Sequence, residues 1–225
     1  MTYNGFIDIL RQFIYKTVDP ALKAMMRVGI TPNIITLTGF IFNIVAAAIF
    51  IYAGTLYPSA DMSCAIGWGG FTILFAGLFD MMDGRMARIG HLESAFGALW
   101  DSSLDRYSEM FCLFGITFLF LEGGDLVSGI VTFTAMIGSV MVSYIRARAE
   151  GLGIECKVGM LQRTERVVIT AAGALLTGIF SQPSCLIVAM WIIAVFANFT
   201  AFQRIAHCRK AKSASPQLST QEREI

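Results

Sequence analysis

Residues 77–105 read GLFDMMDGRMARIGHLESAFGALWDSSLD. Four aspartates, Asp80, Asp83, Asp101 and Asp105, stand beside or inside hydrophobic runs, where an uncompensated charge is expensive. The unbroken apolar segment that follows runs only from Met110 to Leu121, whereas a helix that crosses a bilayer needs ~20 residues. A crossing helix must therefore reach back past Asp105 and Asp101. Both carboxylates are then drawn below the interface, at a cost of up to ~2.5–3.5 kcal/mol each near the centre of a lone helix and less toward its end.

The bilayer is the solvent that the composition calls for. The 225 residues are 56% hydrophobic, with mean hydropathy +0.65, 18 Phe and 12 Met, more apolar surface than a soluble core of this size needs. A formal net charge of +1 gives no sign of nucleic-acid binding. The five cysteines, Cys64, Cys112, Cys156, Cys185 and Cys208, lack metal-ligand spacing, and their odd number argues against a disulfide framework. They read as packing residues. The N-terminus has an amphipathic pattern with Asp8 in place of the features of a cleaved signal peptide.

Apolar runs near Ile34–Tyr52, Ile66–Met82, Gly97–Leu121, Leu126–Tyr144, Arg166–Phe180 and Leu186–Phe202 predict six spans, separated at AGTLYPSADMS, EGGD and SQPS by turn-forming residues. All 17 Lys and Arg fall before the first run, after the last, or around the second-to-third and fourth-to-fifth connections. The other connections carry Asp61, Glu122 and Asp125 and no basic residue. By the positive-inside rule both termini face the cytoplasm, in the cell membrane. Before the first run, Phe6, Ile7, Leu10, Phe13 and Ile14 recur at helical spacing among Asp8, Arg11 and Lys16, which predicts an amphipathic helix lying in the interface. The expected organisation is an interfacial segment over 1–30, an all-α six-helix transmembrane bundle over 31–206, and a polar, disordered cytoplasmic tail over 207–225.

Spacing indicates what offsets the cost of the carboxylates. Asp80 and Asp83 are three apart, and Gly97, Asp101 and Asp105 are four apart, so each set shares a helix face. Two antiparallel helices would aim four carboxylates at one volume. Oxygen donors without His or Cys suit hard divalent cations, Mg²⁺ first and Mn²⁺ as the alternative, and there are enough ligands for two ions. Gly84 and Gly97 leave room for a bulky ligand and Arg88 offers a cation for phosphate, which suggests a nucleotide. A cation-coupled transporter would also use intramembrane carboxylates, but it explains the glycines and arginines poorly.

The pattern Asp80-x2-Asp83-Gly84-x2-Ala87-Arg88-x8-Gly97-x3-Asp101-x3-Asp105 resembles the full signature of the CDP-alcohol phosphotransferase family, membrane enzymes with six spans. The resemblance implies that Asp80, Asp83, Asp101 and Asp105 hold two divalent ions, with Asp105 also the base. It implies a CDP site formed by Pro32, Asn33 and Thr36 of the TPNIIT segment with Asp80, Gly84, Ala87 and Arg88. The implied reaction moves a phosphatidyl-type or phospho-headgroup from a CDP-linked donor to an alcohol, releasing CMP. A homodimer is implied as well. No Ser, Cys or His is placed for a covalent intermediate, and His91 and His207 read as solvated bystanders.

Arginines at the cytoplasmic mouth bear on the acceptor. SYIRARAEGLG, QRTER and FQR bring Arg146, Arg148, Arg163, Arg166 and Arg204 toward one end, and the short apolar part of the fifth run draws Arg166 below the surface. An anionic ligand there would offset its cost. These segments resemble the phosphatidylinositol phosphate synthases and their archaeal counterparts, with Arg146 where that group often has Lys and Lys157 in a loop usually rich in glycine. The resemblance implies that Ser143, Arg146, Arg166 and Arg204 hold the phosphate of inositol 1-phosphate, with a CDP-linked lipid, CDP-diacylglycerol, as donor. Glycerol 3-phosphate and serine remain alternative acceptors.

Overall fold

The computed structural model describes residues 18–57 and 59–214, and among them the regular structure is helical throughout. Residues 18–27 belong to α1. The remaining helices are α2 (Pro32–Thr55), α3 (Ala60–Gly90), α4 (Ala95–Glu122), α5 (Leu126–Gly151), α6 (Arg163–Phe180) and α7 (Ser184–Ala214). By length and composition α2, α3, α5 and α7 can each cross a membrane, as expected of a multi-pass membrane protein. The proposed interfacial residues 6–14 lie outside the described residues.

Short polar caps set where the helices begin. The Ser94 hydroxyl accepts from Gly97 N at 2.9 Å and the Asp125 carboxylate accepts from Ser128 N at 3.0 Å, so α4 and α5 start with a backbone N–H satisfied. His91 ends α3 in the left-handed conformation, φ 50°, and Leu92 N closes the turn on the Ala87 carbonyl at 2.9 Å. Consequently α3 runs on well past Met82, where the apolar run ends, and Asp80, Asp83, Gly84 and Arg88 all stand on one continuous helix. α7 likewise continues through residues 207–214, so the first part of the segment read as a disordered tail is helical. The rest of that tail lies outside the described residues.

The main interhelical contacts are α2 with α3, α3 with α6, α6 with α7, α7 with α5, α5 with α4 and α4 with α2. They close a ring in the order 2-3-6-7-5-4. The ring packs tightly because small residues meet across it: a Cβ at Gly67 would lie 2.9 Å from the Gly178 Cα, and one at Gly115 would lie 2.6 Å from the Ala47 carbonyl. Phe50, Ile66, Leu113, Ile116, Met190 and Ile193 fill the interior. Large apolar side chains such as Ile41, Phe71, Phe133 and Phe199 face outward, the arrangement lipid permits. Buried Thr132, Thr170 and Thr177 donate to their own i−4 carbonyls at 2.8, 2.9 and 2.9 Å and so bring no unpaired hydroxyl into the core.

Successive antiparallel helices collect the starts of α2, α4 and α6 and the ends of α3, α5 and α7 at one end of the ring. There α1 lays the buried Leu22 against Ile35 and Met86, and Asp19 forms a two-pronged pair with Arg85 at 2.9 and 2.7 Å. The Arg85 hydrogen bond holds the Asp19 carboxyl below the usual carboxylate range.

Candidate active site

The end of α3 and the start of α4 bring three of the four aspartates together. One carboxylate oxygen each from Asp80, Asp101 and Asp105 lie within 4.8 Å of one another. Asp83 stands apart from this trio, buried, with its carboxylate against the Thr36 hydroxyl. Asp83 Oδ2 and Asp101 Oδ1 are buried with no hydrogen-bond partner. Buried carboxylate oxygens without donors are costly unless something cationic completes them. The converging oxygen set and these orphaned atoms fit a hard divalent cation.

Three cavities meet at the carboxylates. The first, 240 Å³, lies among α2, α3, α4 and α6, with apolar walls such as Phe40, Ile73 and Leu74 and a polar floor of Asn43, Ser108 and Glu109; Asp80, Asp83 and Asp105 line its mouth. The second, 410 Å³, is lined by Pro32, Asn33, Thr36, Asp83, Gly84, Ala87, Arg88, Gly97 and Asp101 among others. It therefore gathers the residues expected at a nucleotide except Asp80, which lines the first cavity instead. Glycine matters at two of these positions. A Cβ at Gly84 would meet only Arg88 Nη2 at 3.9 Å and would project into open space, and one at Gly97 would crowd the capping Ser94 Oγ at 3.0 Å and lie 3.5 Å from Asn33 Oδ1.

The third cavity, 400 Å³, is lined by Ser143, Arg146, Arg166 and Arg204, the four residues expected at an acceptor phosphate, together with Arg106, Arg163, Glu150 and Asp105. Five arginines thus border one space, and Asp105 borders it and the first cavity.

How these arginines are held is a finding the sequence did not offer. Arg166, 1% exposed, is gripped by both oxygens of Glu109 at 2.6 and 2.9 Å and donates to the Leu161 carbonyl at 3.0 Å. Glu109, and not an external anion, already compensates its buried charge. Arg204 donates to the Val158 and Val142 carbonyls at 2.8 and 2.6 Å, fastening the α5–α6 loop and α5 to α7. The same loop is tied by Met160 N to Thr200 Oγ1 at 3.3 Å and by His207 to the Glu155 carbonyl at 3.2 Å. His207 is thus a tether, whereas His91 is exposed. Arg146 pairs with Glu150 at 2.9 Å in a half-exposed setting. Arg106 donates to the Ser102 carbonyl. Arg163 contacts Asp105 at 2.5 Å and Asp80 at 3.5 Å. A guanidinium has five N–H donors, so each of these arginines keeps some for a ligand.

Glu109 had a signal in the sequence: Gly97, Asp101, Asp105 and Glu109 continue a single four-residue step along α4. Arg163 is visible as a member of the arginine cluster, three residues before Arg166, whereas Arg106 carries no pattern that sets it apart from anchoring arginines.

Comparison with known proteins covers most of the chain. A family model described as CDP-alcohol phosphatidyltransferase matches residues 29–201. The phosphatidylinositol phosphate synthase of Mycolicibacterium smegmatis is 37% identical over 90% of this chain and 88% of its own, and that of Mycobacteroides abscessus is 34% identical over 91% and 89%. The archaetidylinositol phosphate synthase of Methanothermobacter thermautotrophicus is 35% identical over 91% and 92%. Among solved structures, Mycobacterium tuberculosis phosphatidylinositol phosphate synthase with CDP-DAG bound superposes with a TM-score of 0.74 at 30% identity, covering 84% of this chain and 92% of that one. The same enzyme in complex with manganese and citrate gives 0.75 at 30% identity, covering 84% and 87%.

Proposed function

Because the chain belongs to the CDP-alcohol phosphatidyltransferase family, we infer that it moves the phosphatidyl group of CDP-diacylglycerol onto a hydroxyl of inositol 1-phosphate, giving phosphatidylinositol phosphate and CMP. The observation that carries the choice of a phosphorylated acceptor is the arginine-lined cavity that borders Asp105, and the choice of inositol 1-phosphate among such esters is supported by the relatives named as phosphatidylinositol and archaetidylinositol phosphate synthases. A neutral polyol offers five guanidinium groups only uncharged acceptors, whereas a phosphate monoester takes charge-assisted hydrogen bonds from several of them.

The second cavity would receive the cytidine diphosphate, with Arg88 as its cation and Gly84 and Gly97 as its open walls, between Pro32, Asn33 and Thr36 on α2 and Ala87 on α3. The acyl chains would lie toward the apolar first cavity. Asp80, Asp83, Asp101 and Asp105 would hold two divalent ions, Mg²⁺ or Mn²⁺, whose charge neutralises the pyrophosphate and eases departure of CMP. Ser143, Arg146, Arg166 and Arg204 would fix the acceptor phosphate so that a ring hydroxyl faces the phosphorus bearing the diacylglycerol. The hydroxyl oxygen forms the new P–O bond as the bond to the CMP phosphate breaks, and Asp105 takes the hydroxyl proton late in the step.

The same reading makes α4 and α6 crossing helices in spite of their charged ends, for a total of six. α6, with 18 residues, spans ~27 Å at 1.5 Å per residue, close to a hydrocarbon thickness of ~30 Å. The charged end of the ring and the termini would face the cytoplasm, where CDP-linked substrates are met, with residues 1–30 as a segment at the membrane–water interface, 31–206 as the catalytic bundle and 207–225 as a cytoplasmic extension, and the protein would work as a homodimer.

CMP release by the purified full-length protein from CDP-diacylglycerol and Mg²⁺ tests the proposal. Inositol 1-phosphate should support turnover, and free inositol, serine and glycerol 3-phosphate should do so at least tenfold less well. Equal rates with free inositol or serine would remove the role of the arginine cavity, and faster turnover with glycerol 3-phosphate would replace the acceptor.

A further inference from the structure

Arg163, the first residue of α6, occupies a position that the transfer itself makes untenable. Its guanidinium touches Asp105 at 2.5 Å and Asp80 at 3.5 Å, two of the three aspartates whose oxygens converge. Those oxygens cannot serve a guanidinium and a divalent cation equally well, since the cation needs them close and repels a second positive charge. Arg163 also lines the arginine cavity, its side chain is 26% exposed, and its buried Nε has no hydrogen-bond partner. Arg166 and Arg204, by contrast, are fixed by Glu109 and by backbone carbonyls, which no substrate removes.

We propose that Arg163 is a positioning residue with two stations. It stands in for a cation between Asp105 and Asp80 until a divalent ion takes those oxygens, and then turns into the adjoining cavity to add a guanidinium to the grip on the acceptor phosphate. The inference rests on the transferase reading given above and deepens it. Two consequences are built in. Ion binding competes with Arg163 in the resting protein, and whatever anion draws Arg163 into the cavity strengthens ion binding. By thermodynamic reciprocity the ion strengthens binding of that anion by the same factor. The ion site and the acceptor pocket are thereby coupled through one side chain that borders the first and third cavities.

The test is Mn²⁺ binding to the full-length protein in detergent, followed by electron paramagnetic resonance without anion, with inositol 1-phosphate and with inorganic phosphate. In the wild type, inositol 1-phosphate should tighten Mn²⁺ binding roughly tenfold, inside the ~5–150-fold range of ordinary coupling. Arg163→Gln should bind Mn²⁺ roughly tenfold tighter without any anion, because the internal competitor is gone, and should lose the anion effect. Arg163→Lys, whose ammonium can replace the guanidinium at either station less completely, should fall between; it carries the comparison should the glutamine variant not fold. Unchanged or weaker Mn²⁺ binding in the substituted protein would overturn the proposal, as would a wild type in which neither anion alters Mn²⁺ affinity. Coupling to inorganic phosphate without coupling to inositol 1-phosphate would keep the two stations and overturn the acceptor assignment instead.

Discussion

Replacing Glu109 by Gln should weaken the fold and strengthen acceptor binding together. Glu109 and Arg166 are 9% and 1% exposed and joined by two hydrogen bonds of 2.6 and 2.9 Å. Removing one partner of such a buried pair costs ~3–5 kcal/mol. The amide oxygen of Gln retains one of the two bonds, which places this substitution near the lower limit, at ~3 kcal/mol. For a chain of this size each kcal/mol moves the melting temperature by roughly 2–4 °C, so a fall of roughly 6–12 °C is expected in a detergent melt. Arg166 keeps its charge and still borders the arginine cavity, now without an anionic neighbour at that end. The KM for inositol 1-phosphate should accordingly fall severalfold, while that for CDP-diacylglycerol stays within twofold. Glu109→Gln combined with Arg166→Met should melt higher than the sum of the single losses predicts, because no unpaired charge is left behind. A single variant that melts within ~2 °C of wild type would show that the pair contributes nothing, and the account of how Arg166 is held would be wrong.

Asp105→Asn should leave CDP-diacylglycerol binding nearly intact and reduce turnover by more than tenfold at saturating Mg²⁺; retention of a higher rate would remove Asp105 as the base. Gly84→Leu should fill the second cavity, where a Cβ meets only Arg88 Nη2 at 3.9 Å, and raise the donor KM at least tenfold with the acceptor KM unchanged, as measured by CMP release. Cys64, exposed near the start of α3, should react with an impermeant thiol reagent added to intact cells, and a cysteine placed at the exposed Lys157 should not; the opposite pattern would invert the topology. Asp19 has its carboxyl lowered by the Arg85 hydrogen bond, so its contribution is complete above the ordinary value of 3.8 and is lost as pH falls through the lower folded value. Asp19→Asn should therefore lower stability at pH 7 by ~0.2–1 kcal/mol, the scale of a partly exposed pair, and the gap from wild type should close progressively as pH falls below the ordinary value of 3.8 in melts run across that range.

Much of the site is legible because it is encoded locally. The three- and four-residue steps among Asp80, Asp83, Gly97, Asp101 and Asp105 need only helical geometry to become a convergent cluster, and the cavity lined by Pro32, Thr36, Gly84 and Arg88 follows once two such helices are antiparallel. The ends of the helices were harder to read. Hydropathy reports where a chain leaves lipid, and α3 and α7 remain helical beyond that point, as far as Gly90 and Ala214. The ion pairs were hidden for a different reason. Which carboxylate meets which arginine depends on the ring order 2-3-6-7-5-4, which sets α6 beside α3 although α4 and α5 intervene in sequence, and no periodicity within one helix carries that order. The burial of Arg166 was visible in the shortness of its apolar run, but its partner lies on another helix.

That ring order also sets a timetable for biosynthesis. Glu109 leaves the ribosome 57 residues before Arg166, and Asp80 leaves it 83 residues before Arg163. At ~5–20 residues per second, the acidic half waits roughly 3–17 s for its counter-charges. During that interval Asp105 and Glu109 are without the α6 arginines that hold them in the finished fold. A nascent chain halted after α5 therefore carries the Glu109 carboxylate without the cation that compensates its burial in the finished protein.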